Sequence, residues 1–202
     1  MAKKRFALYF ECEGDRVGQK DCKTLARLVS HTHEYFLKIM FDNFCAQLGG
    51  VRQSKLSPEA KGSAAEHVAT ALICARTVAF LKFLQLCRDQ GVAPTPAAWL
   101  NAQLDGVSAA SARLLEKLVC LSPTEIASYA ATVQKHTAST MAEYGFTDPM
   151  IVLFDEAHQW LMPAFGTYPA KRTEGQTRAF LSRALSCATD RFPGWPSFST
   201  GA

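Results

Sequence analysis

The chain has 202 residues, of which 48% are hydrophobic and 20% charged, the make-up of one ordinary globular domain with a real core, which excludes a disordered segment. The formal net charge of +4 is scattered, with Lys3, Lys4 and Arg5 far from Lys171 and Arg172, so a solvated surface accounts for it and nucleic acid is not indicated. The cysteines Cys12, Cys22, Cys45, Cys74, Cys87, Cys120 and Cys187 are odd in number and form no C-x-x-C pair, which speaks against a disulfide framework or zinc site and for a reducing, intracellular compartment, cytoplasmic or nuclear.

Residues 5–12, Arg-Phe-Ala-Leu-Tyr-Phe-Glu-Cys, are a short aromatic-rich run closed by polar residues and predict a buried strand. The stretch from Glu13 to Lys20 carries two glycines but also two acids, so it reads as a surface loop and not as a phosphate cradle. From Asp21 the period changes: Leu25, Leu28, Val29, Phe36, Ile39 and Met40 recur at helical spacing until Gly49-Gly50 stops them. His31 and His33, two apart, would point to different faces of such a helix, and no further ligand stands nearby to make a metal site.

Ser57-Pro58-Glu59 offers an N-cap with proline at the first helical position, and the helix it opens runs to about Arg88 before Gly91 ends it. Its most apolar part, Ala64 to Cys87, is interrupted by Glu66, His67, Arg76 and Lys82, which argues for a buried core helix and against a membrane span. No signal peptide is visible either, because no continuous apolar segment follows the charged Met-Ala-Lys-Lys-Arg start. Thr95-Pro96 and Ser122-Pro123-Thr124-Glu125 repeat the cap-plus-proline device, the second as a full capping box, and predict helices over 96–105, 108–120 and 123–140. The helical region thus covers 21–140.

At Asp148-Pro149 the pattern changes again. Residues 149–155 read as a strand buried on both faces, because Met-Ile-Val-Leu-Phe is an unbroken apolar run bounded by a turn signal before it and acids after it. Gly166 to Glu174 is loop-like, residues 176–189 are predicted helical, and 196–200 is a possible third strand. Arg178 and Arg183 on that helix are expected on a solvated face, and Trp99, Trp160 and Trp195 as core or loop anchors. Three short strands separated by helices predict an α/β fold with a parallel sheet and a large helical insertion in one domain over 1–202.

A buried strand that delivers consecutive carboxylates to its C-terminal end matches what nucleotide hydrolysis requires, since α/β sheets bind ligands in the crevice outside those ends. Asp155 can hold magnesium and Glu156 can orient and deprotonate the attacking water, with His158, the last member of Asp-Glu-Ala-His, coupling the site to neighbouring polar groups. The competing reading is that both acids merely open a helix, where they favour the positive end of its dipole. Ser199 and Thr200, with Ser197, could bring a hydroxyl near a γ-phosphate as a sensor does; an ordinary polar strand end explains them equally. No G-x-x-x-x-G-K-[ST] phosphate-binding loop is present anywhere in the chain.

With these residues in view, the chain resembles the P-loop NTPase module of Crinkler-type effector proteins and the related trypanosome retrotransposon hot spot proteins. The resemblance rests on the strand Phe6 to Phe10, the segment Thr95-Pro96 through Trp99-Leu100 to Gln103-Leu104, Ile151 to His158, and Ser197 to Gly201; only the acidic tetrapeptide is a specific motif. It implies an ATPase core of which this chain is the middle portion, carrying the Walker B acids without the phosphate loop, with Mg2+ and ATP expected only in a complete module. It also implies that strand 6–11 lies beside strand 150–154 in parallel, with Asp155 and Glu156 at the shared C-terminal edge. Two other readings stay open: a non-enzymatic helical interaction or effector module, with a protein partner or self-association, and a fragment of a DEAH-box helicase.

Overall fold

The computed structural model describes residues 5–11, 20–29, 58–148, 150–155, 167–169 and 177–179. In chain order these form strand β1 (Ala7–Glu11), helix α1 (Lys20–Val29), α2 (Pro58–Asp89), α3 (Pro96–Ala102), a π-helical turn (Gln103–Val107), α4 (Ser108–Leu118), α5 (Pro123–Glu143), β2 (Ile151–Asp155) and the short strands β3 (Thr167–Pro169) and β4 (Thr177–Ala179). Helix dominates, and the strands form two separate pairs: β1 with β2 in parallel, and β3 with β4 antiparallel.

The helix starts fall where the cap chemistry puts them. At α3 the Thr95 hydroxyl accepts from the Ala98 N–H at 3.1 Å, and at α5 the Ser122 hydroxyl and the Glu125 carboxylate exchange bonds with each other's backbone N–H. Gly91 and Gly145, with φ of 65° and 74°, end α2 and α5 in the left-handed conformation, and the next residue's N–H then reaches back five positions, from Val92 to the Cys87 carbonyl and from Phe146 to that of Met141. A side chain at either glycine would carry the strain of that conformation.

Helix α2 is the central element, packed against α1, α4, α5 and β1. Its stretch Glu66–Asp89 is long and apolar enough by composition to cross a membrane, but most of that window is buried inside the molecule. Leu72, Ile73, Phe80 and Leu84 form one continuous core with Phe6, Leu8 and Phe10 of the first strand segment, Met150, Val152 and Phe154 of the second, and Trp99 and Leu115. Phe80 sits among the rings, 5.1 Å from both Phe6 and Trp99 between centroids. The alternate residues Ala7, Tyr9, Ile151 and Leu153 are only half-buried, so the sheet lays one face on the helices.

Several expectations need correction. The helix expected over 176–189 is not formed at its start, because Thr177–Ala179 is the strand β4, paired with Thr167–Pro169 from a region expected to be a loop. A local helical pattern there yields to a pairing partner earlier in the chain. Helix α3 ends at Ala102 and widens into the π-helical turn where an α-helix to 105 was expected, while α5 continues past 140 to Glu143. The parallel sheet has two strands among the described residues; the third strand expected over 196–200 lies outside them.

Candidate functional site at the C-terminal edge of the parallel strands

Strands β1 and β2 pair in full register, Ala7 with Ile151 through Phe10 with Phe154 and Glu11 with Asp155, and the Ile151 N–H donates to the Phe6 carbonyl at 3.0 Å. Both strands therefore end together, one in Phe-Glu and the other in Phe-Asp. The two phenylalanines stack with centroids 5.0 Å apart and planes inclined by 15°, buried under the sheet. This stack pins the strands side by side at the position before the acids, so Glu11 and Asp155 occupy neighbouring backbone positions at the C-terminal edge.

Arg76 braces this end from below. Its guanidinium lies 4.7 Å from the centre of the Phe10 ring, its Nη1 donates to the Tyr9 carbonyl at 2.8 Å, and its Nε donates to Asp21 Oδ2 at 2.8 Å, with a second bond from Nη2 to the same oxygen. Both side chains of the Arg76–Asp21 pair are fully buried. Asp21 stands in the first turn of α1, where its charge also suits the helix dipole, and its Oδ1 accepts the Cys22 N–H at 2.9 Å. The ion pair thus fixes the start of α1 against the last residues of β1.

Gln103, fully buried, completes the bracing from the π-helical turn. Its Oε1 accepts from the Tyr9 N–H at 2.9 Å and from Arg76 Nη1 at 3.2 Å, and its Nε2 donates to the Ala7 carbonyl at 3.1 Å. Trp99 Nε1 donates to the same carbonyl at 2.7 Å, which makes this tryptophan the core anchor expected of it.

Of the site residues expected from sequence, Asp155 is placed at the end of β2, while Glu156, His158, Ser199 and Thr200 lie outside the described residues. His31, His33, Trp160, Trp195 and Arg183 lie outside them as well. Among the described residues no group of three His, Cys, Asp or Glu side chains is arranged to hold a metal ion. Glu11 was not singled out from sequence, although the signal was there: two apolar runs each end in phenylalanine followed by an acid, and parallel pairing sets such endings side by side. Comparison with protein-family models, with curated proteins and with solved structures gives no match.

Proposed function

We propose that this chain is the portion of a P-loop-type ATPase module that handles the metal ion and the attacking water, and that it is without ATPase activity alone. The observation that supports this reading is the in-register parallel pairing of β1 with β2, which ends β2 at Asp155 on the C-terminal edge of a parallel sheet, with Glu156 next in the chain. In this reading Asp155 holds Mg2+, keeping most of the ion's waters, and Glu156 takes the proton of the water that attacks the γ-phosphate. His158, Ser199 and Thr200 contribute hydrogen bonds around the nucleotide.

Glu11 adds to the argument. It brings a second acid to this edge at the backbone position paired with Asp155, and in this reading an edge that carries both acids favours a divalent ion. The donor chemistry present suits a magnesium ion and its water; it does not suit a triphosphate, for which the chain has no glycine-rich cradle and no lysine after one. The test is Mn2+ titration followed by electron paramagnetic resonance on the whole chain and on Asp155→Asn. One weak divalent site that disappears in the variant is expected, and equal binding by both would overturn the reading.

A second reading, a non-enzymatic helical interaction module, is favoured by a different observation. Leu86 on α2, Val92 after it, and Leu100 and Leu104 on and after α3 are large apolar side chains between 41% and 57% exposed. In this reading the same chain presents helices to a protein partner, and Asp155→Asn changes neither metal binding nor partner binding.

A further inference from the structure

A strand at the border of a sheet normally leaves a row of N–H and C=O groups facing outward, and such a row is a template for pairing with another chain. In a parallel pair these groups alternate. Leu8 and Phe10 direct their backbone groups to β2 along with the Phe6 carbonyl, so Ala7 and Tyr9 direct theirs to the opposite side. On that side stand three side chains and, among the described residues, no strand. The Ala7 carbonyl accepts from Trp99 Nε1 at 2.7 Å and from Gln103 Nε2 at 3.1 Å, the Tyr9 N–H donates to Gln103 Oε1 at 2.9 Å, and the Tyr9 carbonyl accepts from Arg76 Nη1 at 2.8 Å.

The Gln103 amide is the centre of this arrangement. A primary amide offers the same donor and acceptor as a peptide unit, and here it bonds two successive outward groups of β1, Ala7 C=O and Tyr9 N–H, as a neighbouring strand would. The π-helical turn that begins at Gln103 follows Trp99 by one helical turn, so one short segment delivers both side chains to the strand. Arg76 then fixes the amide's orientation: its Nη1 donates to Gln103 Oε1 at 3.2 Å, which identifies that atom as the oxygen. All three side chains are buried, at 1% exposure or less.

We propose that Trp99, Gln103 and Arg76 form an edge guard, a side-chain substitute for a strand that closes β1 to β-augmentation and directs any further strand to the β2 side of the sheet. The guard depends on geometry alone and stands whether or not the chain belongs to an ATPase. It commits to one consequence: with the Gln103 amide removed, the Tyr9 N–H loses its acceptor while Trp99 and Arg76 keep the two carbonyls, and the occupant of the weakened edge is a strand of a second copy of this chain, since every copy presents the same bared group.

The experiment compares the whole chain with Gln103→Leu, which removes the amide at similar volume, and with Gln103→Glu, whose carboxylate still accepts from the Tyr9 N–H and pairs with Arg76. Light scattering reads the oligomeric state and hydrogen exchange reads the Tyr9 amide. Gln103→Glu is expected to keep the oligomeric state of the natural chain. Gln103→Leu is expected to gain at least one copy as concentration rises, with the Tyr9 amide exchanging at least tenfold faster than in the natural chain when dilute and protected again when associated. An unchanged oligomeric state in Gln103→Leu overturns the proposal, and so does association that leaves the Tyr9 amide unprotected. If Gln103→Leu does not fold, the double variant Trp99→Phe/Gln103→Glu, which strips both donors from the Ala7 carbonyl, is judged by its oligomeric state in the same way.

Discussion

Arg76 and Asp21, far apart in the chain, are joined by two hydrogen bonds to a single carboxylate oxygen, with both side chains at 0% exposure. The pair is sheltered from solvent screening, and Arg76 also holds the Tyr9 carbonyl and Gln103. Removing one partner leaves the other as an uncompensated buried charge, which costs about 3–5 kcal/mol, a large part of the stability of a typical domain. Asp21→Ala and Arg76→Met are each expected to lower the unfolding free energy obtained from urea titration by that order, and with it the midpoint, and the double variant to recover part of the loss. Single-variant losses that simply add in the double variant would show that the two side chains are not coupled. Arg88 and Glu143 form an ion pair too, at 48% and 55% exposure, and Arg88→Ala is expected to leave the midpoint unchanged.

The capping box of α5 makes stability depend on acid pH. The Glu125 carboxylate accepts from the Ser122 backbone N–H at 2.7 Å, and that bond, with the Ser122 side chain as the second cause, holds it below its usual value of 4.5. A carboxylate depressed in the folded state contributes stability that is present above its unfolded value and is lost as pH falls through the lower folded one. Glu125→Gln is therefore expected to melt below the natural protein at pH 7 and together with it once the pH drops well under 4.5. Melting curves that stay equally separated across that range would remove the carboxylate from the explanation.

Which parts of this fold were legible in the sequence follows from the range of the interactions involved. The starts of α2, α3 and α5 at Pro58, Pro96 and Pro123 were legible because a cap is decided within four residues, and Gly91 marked the end of α2 for the same reason. The strand ending at Asp155 was legible from its unbroken apolar run, and its parallel pairing with β1 agrees with what the family resemblance implied. Thr177–Ala179 was misread as helix because its pairing with Thr167–Pro169 is invisible to a local pattern. Arg76 was read as an interruption of an apolar helix; its partners Asp21 and Gln103 lie on other elements, and nothing in the spacing names them. Trp99 was read as a core or loop anchor and Gln103 was quoted only as a matching position; their work at the edge of β1 became visible with the strand in place.

The cysteines should differ sharply in reactivity. Among the described residues Cys22, Cys74, Cys87 and Cys120 are free thiols; the first three are buried and Cys120 is exposed. Cys120 sits just past the end of α4. Burial pushes the Cys74 thiol up to about 12, so almost none of it is thiolate at neutral pH. Burial also raises the Cys120 thiol, helped by the charge of Glu116. Maleimide labelling of the native protein at mildly alkaline pH, read by peptide mass, is expected to modify Cys120 first of these four and to leave Cys74 untouched until the protein is denatured. Labelling of Cys74 as fast as Cys120 would mean that the core around α2 opens readily.

The last prediction concerns nucleotide. In the proposed reading Asp155 and Glu156 manage a metal ion and a water, whereas the grip on a triphosphate comes from backbone N–H groups of a glycine-rich loop and from its lysine. Neither feature occurs in this chain, and the one glycine-containing stretch near the C-terminal end of β1, Glu13 to Lys20, carries the acids Glu13 and Asp15. Carboxylates facing a polyanion without that cradle repel it: two unit charges of like sign 4 Å apart cost about 4 kcal/mol at the effective dielectric of a protein surface, several times what one hydrogen bond returns. Calorimetric titration of the whole chain with magnesium-ATP is therefore expected to give no binding in the micromolar range, and phosphate release no faster than the uncatalysed rate. Micromolar binding that survives Asp155→Asn would locate a phosphate site elsewhere in the chain, and binding that Asp155→Asn abolishes would mean that this edge holds the nucleotide without a conventional loop. Either result would end the account of the chain as a module that lacks its phosphate grip.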